Sequence, residues 1–120
     1  MIRANTCIAL VREIGRDDMG YLLVLQWAGS SSADFEELVE MEDALEEALG
    51  DYASVDGHDL GSGEMNIFIA TEHPDRAFED ARTILDGWLL WGAVRAAYRP
   101  LTRESYTLLW PPELSSFKVS

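Results

Sequence analysis

The 120-residue chain has one cysteine, Cys7. A single thiol excludes a disulfide framework and a cysteine-built zinc site within one chain, and it fits a reducing cytoplasm. Cations are also scarce: nine Lys and Arg stand against 22 Asp and Glu, a formal net charge of −13. A charge of that sign argues against holding nucleic acid or an anionic membrane by bulk electrostatics. No stretch approaches the ~20 apolar residues of a membrane span. The N-terminal apolar run is broken by Arg12 and is too short for a signal-peptide core. There is no linker, low-complexity tract or internal repeat, so a single domain over 1–120 is expected.

What is present is enough apolar material for one core, since 48% of the residues are hydrophobic. Residues 6–14 read as a strand, 15–20 as a turn, and 21–27 (YLLVLQW) as a strand apolar on both faces, hence interior to a sheet. Met19 is an alternative start, which would make 1–18 an extension or an edge strand. Residues 28–51 contain a helix: Ser31 and Asp34 fit a capping box, Phe35, Leu38, Met41, Leu45, Ala48 and Leu49 recur at helical spacing, and Gly50 suits a left-handed end. Strands are expected at 52–60 and 65–71, joined by the turn Gly61-Ser62-Gly63-Glu64. Pro74 suits a first helical position, capped by His73 or Thr71. Ala77, Phe78, Ala81, Ile84 and Leu85 form the apolar stripe of this second helix, and Gly87 ends it. Residues 88–100 resume an extended pattern, 100–104 turn, and 105–110 form a last strand stopped by Pro111 and Pro112. The tail, 113–120, is expected to be loose.

The order ββαββαββ implies an α+β, two-layer sandwich: an antiparallel-rich sheet with both helices on one face and a ferredoxin-like core with extra strands. Two helices cover one sheet face only, yet both faces of the central strands 21–27 and 65–71 read as apolar: Leu22 and Val24 against Tyr21, Leu23, Leu25 and Trp27 on the first, Ile67 and Ile69 against Phe68 and Ala70 on the second. A back-to-back homodimer is the expected cover, with a ligand pocket beneath the tail and last hairpin as the alternative.

No catalytic residue, metal site or cofactor is expected. Asp56, His58 and Asp59 could offer two ligands or a general base, but two histidines in the chain and the polarity of a loop favour a structural role. Gly61-Ser62-Gly63 lacks the Lys-Ser/Thr of a phosphate loop and joins two strands. Ser30, Ser31 and Ser32 lack the surroundings of a nucleophile elbow and serve as helix-cap candidates. Trp88, Trp91, Tyr98, Tyr106 and Trp110 read as core or interface residues, because base stacking on a sheet needs basic charge beside it.

The first helix is the most informative segment. Eight acids, Asp34, Glu36, Glu37, Glu40, Glu42, Asp43, Glu46 and Glu47, fall within 14 residues that contain no Lys or Arg. Like charges one turn apart (36/40, 42/46, 43/47) cost roughly 0.2–0.5 kcal/mol each, so stability alone would mix in cations. Glu36, Glu37, Glu40, Asp43 and Glu47 are the expected contact residues for a basic protein partner. Arg95, Arg99 and Arg103 cluster further on. Together with Tyr98 and His58, Arg95 and Arg99 define the alternative, a small-molecule sensor or enzyme working on the open sheet face.

The segments GSGEMNIFIATEHP, RAAYRP and WPP resemble a group of small, acidic, uncharacterised bacterial proteins in which a G-x-G-x-x-N-I-F-type strand leads into an x-Pro helix start. The resemblance spans roughly residues 19–112. His73 stands where that helix start more often has Asp. In size and charge the chain is similar to immunity proteins that neutralise basic toxins, which implies a non-enzymatic binding role.

Overall fold

The structure, a computed structural model, describes residues 20–29, 31–61 and 63–119. The strand expected at 6–14, Cys7, Ser30 and Ser62 lie outside the described residues. The elements run β1 (Tyr21–Ala28), α1 (Ser32–Ala48), β2 (Ala53–Gly61), β3 (Glu64–Thr71), α2 (Pro74–Leu85), a 3-10 helix (Leu89–Ala93), β4 (Arg95–Pro100) and β5 (Thr107–Trp110).

The strands pair antiparallel throughout, in the order β2-β3-β1-β4-β5. The two most apolar strands, β1 and β3, are both interior, because only there are both faces of a strand removed from water. Each helix links two strands that run parallel with one antiparallel strand between them: α1 crosses from β1 over β3 to β2, and α2 crosses from β3 over β1 to β4. With β5 paired outside β4, the whole is an open five-stranded sheet rather than the four-stranded sheet of a plain ferredoxin core.

Register assigns the faces. Leu23 lies opposite Ile69 and Tyr98, Leu25 opposite Ile67 and Ala96, and Trp27 opposite Met65. These side chains form one buried cluster with Leu38, Met41 and Leu45 of α1 and Ala77, Phe78, Ala81 and Leu85 of α2, so both helices cover the same face. Full burial of each large aliphatic side chain is worth about 1.5–3 kcal/mol. Leu22, Val24 and Phe68 point to the other face and form a second cluster.

Two glycines hold conformations closed to most residues. Gly63, at φ +76°, closes the β2–β3 hairpin, where Gly61 pairs with Glu64. Gly57, at φ +129°, follows a bulge in β2: Val55 faces Ile69, Gly57 faces Phe68, and Asp56 is the inserted residue.

Local expectations and structure part in three places. Helix α1 starts as the cap predicts, with the Asp34 N–H donating to Ser31 Oγ at 3.1 Å. It ends without a left-handed glycine: Leu49 leaves the helix in an extended conformation, and the Gly50 carbonyl accepts the Ala53 N–H at 3.2 Å in the turn into β2. Residues 88–94 are not strand. Trp88 and Trp91 sit three residues apart and pack with Leu90 on the helix-side core, a spacing that a 3-10 turn aligns and a strand does not. The tail, expected loose, has no regular element, yet Phe117 and Val119 pack on the second cluster.

Among the described residues no helix is long and apolar enough to cross a membrane.

Candidate functional site

Helix α1 presents two chemically opposite sides. Leu38, Met41 and Leu45 are fully buried, whereas Glu36, Glu40, Asp43, Glu46 and Glu47 are exposed. Positions 36, 40, 43 and 47 recur at helical spacing and form one outward stripe. Among the described residues none of Glu36, Glu40, Asp43, Glu46 and Glu47 has a hydrogen-bond or ion-pair partner, and the last turn of α1 holds no base. No described residue neutralises this stripe, and the field of such exposed charges extends outward over about a Debye length, ~8 Å at physiological salt.

Glu37 is different. It is half-buried, and its Oε2 accepts the Leu90 N–H at 3.0 Å, satisfying an otherwise orphaned donor in the first turn of the 3-10 helix. It also lines, with Glu36, Glu40, Asp86 and Trp88, a groove of about 550 Å³ between α1 and the turn after α2. One carboxylate therefore braces the wall of a groove that the others open to solvent.

Glu42 does not belong to the outer stripe. It follows Leu38 by four residues and precedes Leu45 by three, which carries it to the buried side, where its carboxylate meets His58 Nδ1 at 2.9 Å. The imidazole ring also stands edge-on to Phe35, with centroids 5.6 Å apart. That pair ties α1 to β2, and the 38–42–45–49 spacing was its only signal in the sequence.

The residues of the alternative site are not brought together. His58 lies on β2 opposite Ile67, on the helix side, and is engaged by Glu42. Tyr98 is also on the helix side but two strands beyond β3, edge-on to Tyr21 at 5.5 Å. Arg95 and Arg99 lie opposite Gln26 and Leu22, on the other face of the sheet. Arg99 Nη1 donates to the Arg103 carbonyl at 2.8 Å and the Pro100 carbonyl at 3.3 Å, bracing the β4–β5 connection. Among the described residues no group of three or more His, Cys, Asp or Glu side chains is arranged to hold a metal.

Two polar arrangements had no expectation attached. Tyr52 O–H donates to Asp80, Arg76 lies 4.0 Å from the Tyr52 ring centroid, and Arg76 Nε is 3.9 Å from Asp80. Burial of the phenol, and then its hydrogen bond to Asp80 and that carboxylate's charge, push the Tyr52 pKa up to about 12, against the opposing pull of Arg76. On the second sheet face Gln26 and Asn66, each 1% exposed, sit opposite one another within otherwise apolar strands. Gln26 Nε2 donates to Asn66 Oδ1 and to the Lys118 carbonyl, both at 3.0 Å. A single amide inside each of LLVLQW and MNIFI was the visible signal, legible only once the register paired them.

No family model, curated protein or solved structure matches this chain.

Proposed function

We propose that the protein is a non-enzymatic, immunity-like or regulatory binding protein that docks a basic protein partner through the outer side of α1. Glu36, Glu40, Asp43 and Glu47 carry the contact, and Glu37 supports it from the groove wall. The observation that carries this reading is the absence of any cation beside the outward acids among the described residues. A surface so arranged is mildly unfavourable to its own helix, and a cationic partner relieves it. It also speeds association, because opposite fields steer diffusional encounter. Trp88 in the groove gives an incoming Arg or Lys an aromatic surface beside the carboxylates.

The resemblance to small acidic bacterial proteins belongs to the same reading, as do a cytoplasmic setting and a homodimer; since Phe117 and Val119 pack on the second sheet face, the pairing surface would lie elsewhere than the back-to-back arrangement expected from the sequence. The ferredoxin-like description of the interior is also part of the proposal, supported by the order β2-β3-β1-β4 and the two crossover helices, with β5 as an addition.

The test is capture from a lysate of the source organism at low and high salt, with the native chain beside an E36Q/E40Q/D43N/E47Q variant. A basic protein retained by the native chain, lost from the variant and released by salt is the expected outcome. Equal retention by both, or no basic partner at all, would remove the basis for the reading.

A further inference from the structure

The face of the sheet away from the helices is covered differently from the helix side. Leu22, Val24 and Phe68 are 4%, 0% and 7% exposed. Packed against them are Leu101, Tyr106, Phe117 and Val119. Phe117 and Val119 belong to the C-terminal tail, which has no strand or helix and whose Glu113, Ser115, Ser116 and Lys118 are exposed. Along 117–119 burial alternates: Phe117 and Val119 are half-buried toward the sheet, and the Lys118 side chain points to water. The Phe117 ring lies 5.0 Å from that of Tyr106. Between these two apolar contacts the tail is held by its main chain, through the Gln26 amide donating to the Lys118 carbonyl.

That hydrogen bond is the informative part. A lid serving stability alone would lie on aliphatic side chains, since a buried amide costs about 1–3 kcal/mol whenever it lacks a partner. Here an amide on the central strand is oriented by Asn66 and reaches a backbone carbonyl, a group that every peptide presents. Its neighbours accept apolar side chains on either side of that carbonyl. Main-chain recognition combined with pockets for alternate side chains is how extended peptides are bound.

We infer that the second sheet face is a receptor for an extended peptide segment of apolar–any–apolar pattern, occupied in cis by the chain's own Phe117-Lys118-Val119. A partner segment of that pattern competes with the tail, and the tail's effective concentration sets how strong a competitor must be. This site is distinct from the acidic side of α1 and stands or falls independently of it.

The experiment uses the full chain, native and F117A/V119A, titrated with a fluorescent peptide of residues 113–120 and read by polarisation. The loosened variant is expected to bind saturably and at least about tenfold more tightly than the native chain, whose site is filled. A peptide with Ser in place of Phe and Val should not bind, and adding Q26L should weaken binding by up to about tenfold. If the variant does not fold, an isotope-labelled native chain with excess unlabelled peptide decides. The Lys118 and Val119 amide resonances should move to disordered positions as the tail is displaced. Equal binding by native and loosened chains, tail resonances that stay in place, or dimers of the loosened variant that ignore the peptide would overturn the inference; the last would assign the face to a second copy.

Discussion

Helices α1 and α2 lie side by side on one face of the same sheet and handle charge in opposite ways. On α2, Arg76 and Arg82 reach Asp80 and Glu79 one turn away, at 3.9 and 3.5 Å. The same two guanidinium groups rest over Tyr52 and Trp110, 4.0 and 4.9 Å from the ring centroids. Both bases on this helix thus make contacts within the molecule, joining it to the turn before β2 and to β5. On α1 the bases are missing, and the buried Glu42 meets the His58 imidazole instead. Among the described residues the chain pairs two of the three acids on α2 with arginines of the same helix and pairs none of the outward acids on α1. The contrast separates charge that stabilises a fold from charge available to something outside it.

That contrast can be broken or sharpened by substitution. The largest effect should come from the inner side of α1: Leu45→Ala, at a fully buried position, should cost about 2–5 kcal/mol in urea unfolding, as for any well-packed core leucine. A much smaller cost would mean that α1 is loosely held and its outer stripe poorly ordered.

The α2 arrangement should give a smaller effect that depends on pH. Tyr52→Phe removes a hydrogen bond to a carboxylate and should cost about 1.5 kcal/mol at neutral pH. The fold favours the neutral phenol, whose pKa rises from 10.0 to about 12. This contribution is complete below pH 10 and fades as pH climbs toward 12. The difference in urea midpoint between native and Tyr52→Phe chains should therefore shrink across that window; a constant difference would mean that Asp80 and burial do not act on the phenol.

The smallest effect is the most diagnostic for the docking reading. E36Q/E40Q/D43N/E47Q relieves the 36/40 and 43/47 repulsions and should stabilise the isolated chain by about 0.4–1 kcal/mol at low salt, with the gain vanishing at high salt. A loss of stability instead would show that the stripe is structural.

Much of this architecture was legible before any fold was in hand. The double-sided apolar runs 21–27 and 65–71 announced interior strands, Ser31 announced a helix start, and Pro74 announced another. These signals are local: alternation, capping and a missing N–H act within a few residues. The departures have a shared cause. Gly50, the 88–94 segment and the tail each take the conformation that the neighbouring core requires, and propensity at such places is weak beside packing. The acidic stripe was legible as composition and spacing, but its division was not. Glu37 turned inward to the 3-10 helix and Glu42 to His58, partners 53 and 16 residues away in the chain.

By itself the sequence determined the kinds of element, their order, the excess of negative charge and its concentration on one helix, because these follow from periodicity and composition. Only the tertiary structure decided which acids of α1 other described residues engage, that Arg95 and Arg99 lie on the face opposite Tyr98 and His58, and that Gln26 and Asn66 meet beneath the tail. The physical reason is that each of these depends on strand register and on contacts between residues far apart in the chain. A one-residue change of register would send every such side chain to the other face of the sheet.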